Sequence, residues 1–264
     1  MSVANPINHQ LLKNAGIVVA SIATFLLVWH LGSIGVGRNL PSPIETVTMM
    51  LQLVNEPGPY GRTGLDDLFI SLQRVAIILG VAMAISIIAG VLMGFSDPFR
   101  EVMSAWLPLW MTLPDVVVIL IAMVILGFDG QTIIIAVIFG VVPFGILNIW
   151  SGITEIDDQL LEMADSFGAG SRLRWQHIYI PYLFPYIFSS ARYMIGLSWK
   201  IVLVGEAIGT NSGLGSMIRF WFNQGEVTPI LAYLLLFVGV MLLLEYGVFK
   251  LLERRVFAWR NHDR

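Results

Sequence analysis

The chain has 264 residues, 56% of them hydrophobic and 12% charged, with a formal net charge of −3 and no cysteine. Soluble domains carry roughly 25% charged residues, and a water-soluble fold of this size has nowhere to hide so much apolar surface, so the chain reads as an all-α integral membrane protein. Without cysteine there is no disulfide framework, thiol chemistry or cysteine metal site, and no basic run points to nucleic acid.

A spanning helix needs about 20 predominantly apolar residues, and six stretches meet that requirement. The first covers 15–34, with His30 near one end; it is too long for a signal-peptide core and is read as a retained span. The second, 75–95, has no charge. The third, 102–126, is interrupted only by Pro114-Asp115, and the fourth, 132–153, is again uncharged. The fifth, 182–208, contains Arg192, Lys200 and Glu206, and the sixth covers 227–249. Continuous apolar runs of this kind exclude a β-barrel, which needs short alternating strands. Residues 1–264 therefore form one six-helix transmembrane domain, whose longest extramembrane stretches are the residues between Ile34 and Arg74 and a polar loop over 154–181.

With a cytoplasmic N-terminus, the inner segments hold Lys13, Arg100, Arg172, Arg174, Lys250, Arg254, Arg255, Arg260 and Arg264, against Arg38, Arg62 and Arg219 outside. That is the positive-inside bias. It places both termini and the 154–181 loop in the cytoplasm.

Within that loop Ile156, Leu160, Leu161, Ala164 and Phe167 recur at three- and four-residue steps, opposite Asp157, Asp158, Glu162 and Asp165. This is an amphipathic helix with acidic residues near its N-terminus, where the macrodipole favours them. Gly168 and Gly170 end it, Ser171 caps a second short helix over 172–178, and Pro181 stops that helix before the fifth span. A helix lying at the headgroup boundary would show the same periodicity, although such helices usually present Lys or Arg.

Charges inside spans face protein or water, because lipid exposure costs several kcal/mol. Arg192 and Glu206 are expected to reach opposite interfaces. Lys200 either pairs with Glu206 or Asp115 or lines a passage. Asp115, next to Pro114, marks a locally broken helix whose freed carbonyls need partners. Gly196, Trp199 and Leu203 are expected on one passage-lining face of the fifth span. The lysines lie in no phosphate-binding loop, the histidines form no metal motif, and Gly209-Thr210-Asn211-Ser212-Gly213 misplaces the serine of a nucleophile elbow and reads as a turn. No catalytic or metal site is expected.

Glu162-x-Ala164-x3-Gly168-x9-Ile178-x-Ile180-Pro181 closely resembles the EAA loop of permease subunits of bacterial ABC importers, with Met163 and Ile180 as conservative departures. Leu40-Pro41-Ser42-Pro43, Ser71-Leu72-x-Arg74 and Trp199 followed by Glu206 are similar to the nitrate/sulfonate/taurine branch. The resemblance implies an importer permease in the bacterial plasma membrane that couples to a cytoplasmic ABC ATPase dimer through Glu162, Ala164, Gly168, Ile178 and Pro181. ATP and Mg would then sit on the ATPase and no cofactor on this chain. Implied partners are a second permease copy, an extracytoplasmic solute-binding protein and membrane lipid. The implied solute is a small anion such as a sulfonate, nitrate or organic acid, and Lys200, Glu206, Trp199 and Asp115 are the candidates for its path. The competing class is an ion-coupled secondary transporter, separable by whether an ATPase co-purifies.

Overall fold

The computed structural model describes residues 6–251, with side chains from residue 16 onward except that of Arg38. Arg254, Arg255, Arg260 and Arg264 of the inner charge count lie outside the described residues. Every regular element among the described residues is helical.

Helix α1 (Pro6–Val36) meets the rest of the chain near its C-terminal end, where Trp29 Nε1–H donates to the Pro41 carbonyl at 3.0 Å. Its apolar side chains from Ile17 to Ile34 stay exposed, as a helix bathed in lipid requires. The segment expected to be a long loop contains α2 (Pro43–Asn55). Ser42 and Glu45 close a capping box at its start, with Pro43 at the first position, where its missing N–H has no partner to lose.

A second capping box, Thr63 with Asp66, starts α3 (Gly64–Phe95) well ahead of residue 75. The polar first turns dilute the local hydropathy, so a search for apolar runs trims them, yet they are helical and they carry Arg74 into the interior.

The third expected span is not a straight crossing. Helix α4 (Asp97–Met111) and helix α5 (Asp115–Leu126) meet at 95°. Pro114 disfavours helix for Leu113 and offers no N–H of its own, so the run breaks into two pieces, each shorter than the roughly 30 Å hydrocarbon layer at 1.5 Å per residue. Five other helices are long and apolar enough to cross a membrane; the bent pair makes a sixth if counted as one span.

Helix α6 (Gly130–Thr154) follows, capped by Asp129, which accepts from the Thr132 N–H at 2.8 Å. Two short helices, α7 (Asp158–Ser166) and α8 (Ser171–Arg174), precede α9 (Ile180–Gly209). Beyond a turn at 210–213 lie α10 (Leu214–Gln224) and α11 (Val227–Leu242), the latter running on through a π-helical stretch to Phe249.

Helices α3, α6 and α9 form the centre, burying Ile78 and Ala82, Ile133, Val137 and Ile146, and Met194 and Val202 respectively. Glycines bring the backbones together: a Cβ on Gly90 would lie 2.9 Å from Ile149, and one on Gly205 2.8 Å from Ile133. In lipid, where tails are as apolar as leucine, such close van der Waals contact holds helices together. Asn148 adds polar glue between α6 and α9, donating to the Tyr186 carbonyl at 3.1 Å and to Ser190 Oγ at 2.7 Å.

Candidate functional site

At one end of the bundle, α7 and α8 form a knob. Asp157 caps α7 by accepting from the Gln159 N–H at 2.9 Å. Its other end is a Schellman closure: Gly168 N–H donates to the Asp165 carbonyl at 2.9 Å and Ala169 N–H to that of Ala164 at 2.9 Å. Gly168 takes φ +66° there, the left-handed region where a Cβ is costly. Arg174 braces the bend, donating Nε–H to the Ala169 carbonyl at 3.0 Å and approaching Asp165 Oδ1 at 2.8 Å.

Three of the five expected coupling residues are thereby placed. Gly168 makes the bend, Ala164 supplies its accepting carbonyl, and Ala164 and Ile178 line one cavity of about 340 Å3 beneath the knob. Glu162 is exposed on the outer side. Ser171 is not the cap: that position belongs to Gly170, with no side-chain bond. Pro181 does not stop the chain either, because α8 runs into α9 through a π-helical turn at Trp175–Tyr179, in which Ile180 N–H reaches the Trp175 carbonyl. The widened turn absorbs the proline without breaking the helix. Helix α8 is therefore the first turn of one helical rod, 39 residues from Ser171 to Gly209, to which α7 is joined across the Gly168 bend. Phe167, expected on its covered face, is 81% exposed.

From the knob a groove runs along α6 and α9. A cavity of about 660 Å3 between Glu155 and Ser189 adjoins, through Asn148 and Ser189, one of about 350 Å3 that includes Ser151 and Tyr193. Met111 and Phe144 connect that to a pocket of about 70 Å3 containing Asp115. Tyr186 donates to the Glu155 carboxylate at the wide mouth. Tyr182, Tyr186, Ser189, Tyr193 and Lys200 recur at steps of three, four and seven, within about 40° of one line at 100° per residue. The repeat of tyrosines at these steps is a signal in the sequence that could have found this stripe.

Lys200 belongs to that exposed stripe; Trp199 does not. Trp199 is 1% exposed, packed on Phe237 of α11 with ring centroids 5.3 Å apart, so of the expected Gly196–Trp199–Leu203 face Trp199 is rotated away from the groove. Lys200 makes no ion pair with Glu206, whose carboxylate is held elsewhere, nor with Asp115. Arg192 does not reach for the interface but pairs with Glu245 across the bundle.

Glu206 sits in a polar cluster at the opposite end. Fully buried, it accepts from Arg74 Nη1 at 2.6 Å, from the Ser71 hydroxyl at 2.8 Å and from the Gly215 N–H at 3.0 Å. Arg74 also donates to the Ser212 carbonyl at 3.0 Å and to its hydroxyl at 2.7 Å. Buried Asp67 accepts from Arg62 Nε at 2.9 Å and from the Gly213 N–H at 3.1 Å. The 210–215 turn is thus clamped onto the first turns of α3, and it needs Gly213: a Cβ there would fall 2.3 Å from the Glu206 carboxylate. Sequence reasoning had set Ser71, Arg74 and Glu206 side by side only as scattered similarities; their meeting is a tertiary fact.

Among the described residues no group of three or more His, Cys, Asp or Glu side chains is placed to hold a metal ion.

The family model described as binding-protein-dependent transport system inner membrane component matches residues 77–258. A putative aliphatic sulfonates transport permease protein of Bacillus subtilis (strain 168) is 26% identical, over 90% of this chain and 86% of its own length. A nitrate import permease protein of Synechococcus elongatus is 30% identical, over 78% of this chain and 76% of its own. Among solved structures, the MetNI methionine ABC transporter in inward-facing conformations matches with a TM-score of 0.65 at 19% identity, covering 78% of this chain and 97% of that one.

Proposed function

The chain belongs to the binding-protein-dependent transport system inner membrane components, a multi-pass permease subunit of an ABC importer, and from that premise we propose how it works. Two copies form the passage, with their α6–α9 grooves facing a shared axis. The α7–α8 knob docks on a cytoplasmic ABC ATPase, which binds ATP and Mg, and an extracytoplasmic binding protein delivers solute at the clamp end. Both termini lie on the knob side of the membrane. Hydrolysis alternates access to the groove, and the solute is a small molecule with an anionic group, such as a sulfonate, nitrate or organic acid.

The observation that carries this reading is the knob itself. Its first helix, α7, leaves Phe167 uncovered and Glu162 exposed, and its second, α8, begins a helix that runs without interruption past the groove. A push on the knob is transmitted along that rod to the residues that line the groove. The relatives' names, for aliphatic sulfonates and nitrate, support an anion, and Lys200 supplies a cation on the groove stripe.

The test is co-purification of an ATPase with the tagged full-length chain, followed by ATP-driven uptake in proteoliposomes. Uptake that persists with no ATPase present would instead identify an ion-coupled transporter. Because the chain lacks cysteine, single cysteines at Tyr193 or Gly196 can be cross-linked without background. Disulfides between copies at these positions, and none from Trp199→Cys, would support the paired-groove arrangement; the reverse pattern sinks it.

A further inference from the structure

Asp115 opens α5, is half-buried, and lies in the pocket of about 70 Å3 with Trp110, Met111, Leu113, Phe139 and Gly140. Its carboxylate accepts no hydrogen bond and joins no ion pair among the described residues. Acidic residues at other helix starts are used: Glu45, Asp66, Asp129 and Asp157 each accept from a backbone N–H two or three residues away. Within the spans, Glu206 is matched by Arg74 and Glu245 by Arg192. An unmatched carboxylate in such an apolar setting is costly.

Backbone oxygens short of donors belong to residues around the same pocket, and the reason is covalent. Proline has no N–H, so the carbonyl four residues before it loses its helical donor. Pro114 does this to Trp110, and Pro143, inside α6, does it to Phe139. Trp110 and Phe139 both line the Asp115 pocket, with ring centroids 4.7 Å apart. The Trp110 carbonyl takes the Leu113 N–H instead, at 3.3 Å, and α4 ends there. Among the described residues no backbone donor meets the Met111 or Leu113 carbonyl. The electronegative end of α4 is therefore at the break. On the facing helix Gly140 leaves room, since a Cβ there would stand 2.9 Å from Asp115 Oδ1.

A group that satisfies these atoms is small, seeks oxygen and carries one positive charge. One charge neutralises one carboxylate, whereas a divalent ion would leave a net charge in an apolar setting. The pocket of about 70 Å3 admits an ion with about one water, whose share of liquid volume is about 30 Å3. Discontinuous membrane helices hold alkali cations in this way, through unwound backbone and the C-terminus of a half-helix. We propose that the break between α4 and α5 is a site for a sodium-sized alkali cation. The Asp115 carboxylate holds it, with backbone carbonyls of the last turn of α4 and of Phe139.

The site adjoins the groove through Met111 and Phe144. A bound cation screens an anionic solute from a carboxylate beside its path. That consequence rests on the importer reading, while the site itself rests on the fold alone.

The experiment uses the full-length chain co-purified with its ATPase, with binding of radiolabelled sodium and thermal unfolding as readouts. Sodium chloride is compared with choline chloride at equal ionic strength and pH. One sodium is expected to bind per permease chain. At about a hundred times its dissociation constant it should raise the unfolding midpoint by about 5 °C or more over choline. Asp115→Asn should lose that response and unfold in choline no earlier than the native chain, because an unmatched charge is gone. Gly140→Ala, which crowds Oδ1 and keeps the carboxylate, should weaken sodium binding about tenfold.

A midpoint indifferent to sodium, or an equal rise in Asp115→Asn, overturns the proposal. So does stabilisation by acid in choline with no response to sodium, which marks a protonated Asp115. If Asp115→Asn does not fold, Gly140→Ala decides, and an unaltered sodium affinity there overturns the proposal. A complex that retains its ATPase but ignores sodium removes this inference alone. A chain that binds sodium yet never recruits an ATPase removes only the importer reading.

Discussion

At the Gly213 end, Arg62, Asp67, Ser71, Arg74 and Glu206 join three helices and a turn through hydrogen bonds that are mostly buried. At the Gly168 end, α7 is joined to the start of the α8–α9 rod by one Schellman bend and by Arg174. That arginine bonds the Ala169 carbonyl and forms a partly exposed ion pair with Asp165, with Phe167 turned outward. The same chain is over-determined at one end and barely held at the other. Low contact density marks the parts of a protein that open or move at least cost. The clamp holds the far end of α9 rigidly through Glu206, and in the reading proposed above the knob is where the ATPase supplies the missing contacts.

The clamp end should be the more fragile to substitution. Arg74→Met or Glu206→Gln leaves a buried partner uncompensated, a loss of about 3–5 kcal/mol. Thermal unfolding of the purified protein measures it. Arg74→Met combined with Glu206→Met should cost less than the sum of the single changes, since no orphaned charge remains; simple additivity would show that the pair is not coupled as its 2.6 Å separation implies.

At the knob the contrast should run the other way, with small effects on folding and large ones on coupling. A Cβ at Gly168 meets nothing within 4 Å, so only the φ of +66° opposes substitution. Left-handed geometry costs an ordinary residue about 1–2 kcal/mol, and valine more than asparagine, which tolerates it. Gly168→Val should stay in the membrane with reduced ATPase recruitment, and Gly168→Asn should retain it. Equal recruitment by both would show that the bend plays no part.

Phe167→Ala removes an exposed ring, and stability should change by no more than about 0.5 kcal/mol. ATPase recruitment should nevertheless fall. A marked drop in melting temperature would mean that the ring is covered within the permease itself and that the knob is less open than it looks.

The smallest effect lies at the start of α2. The Ser42 N–H, and then its hydroxyl, hold the Glu45 carboxyl below its ordinary range. A lowered folded pKa contributes stability above the unfolded pKa, and that contribution disappears as pH falls through the folded value. The difference in melting temperature between the native chain and Glu45→Gln should therefore be present at neutral pH and vanish on acidification. A difference independent of pH would assign the effect to something other than this carboxylate.

Much of this architecture was legible because the bilayer imposes it locally. Apolar runs long enough to span, the acidic start and glycine end of α7, and the break at Pro114 each depend on residues close together in the chain, where length, capping chemistry and proline's missing N–H decide the outcome. Helix starts were less legible where polar turns extend a span, as at Gly64, since hydropathy reports the solvent of a segment and not its hydrogen bonding.

Partnerships over long separations were not legible at all. Sequence reasoning offered Lys200 as the partner of Glu206 and did not weigh Arg74. Arg74 lies 132 positions away in the sequence and reaches Glu206 only because α3 and α9 pack side by side. The same packing turned Trp199 inward and left Lys200 exposed. A sequence specifies which side chains carry charge and which faces are apolar; helix rotation within the bundle, set by close contact across α3, α6 and α9, decided which charges neutralise each other and which stay exposed.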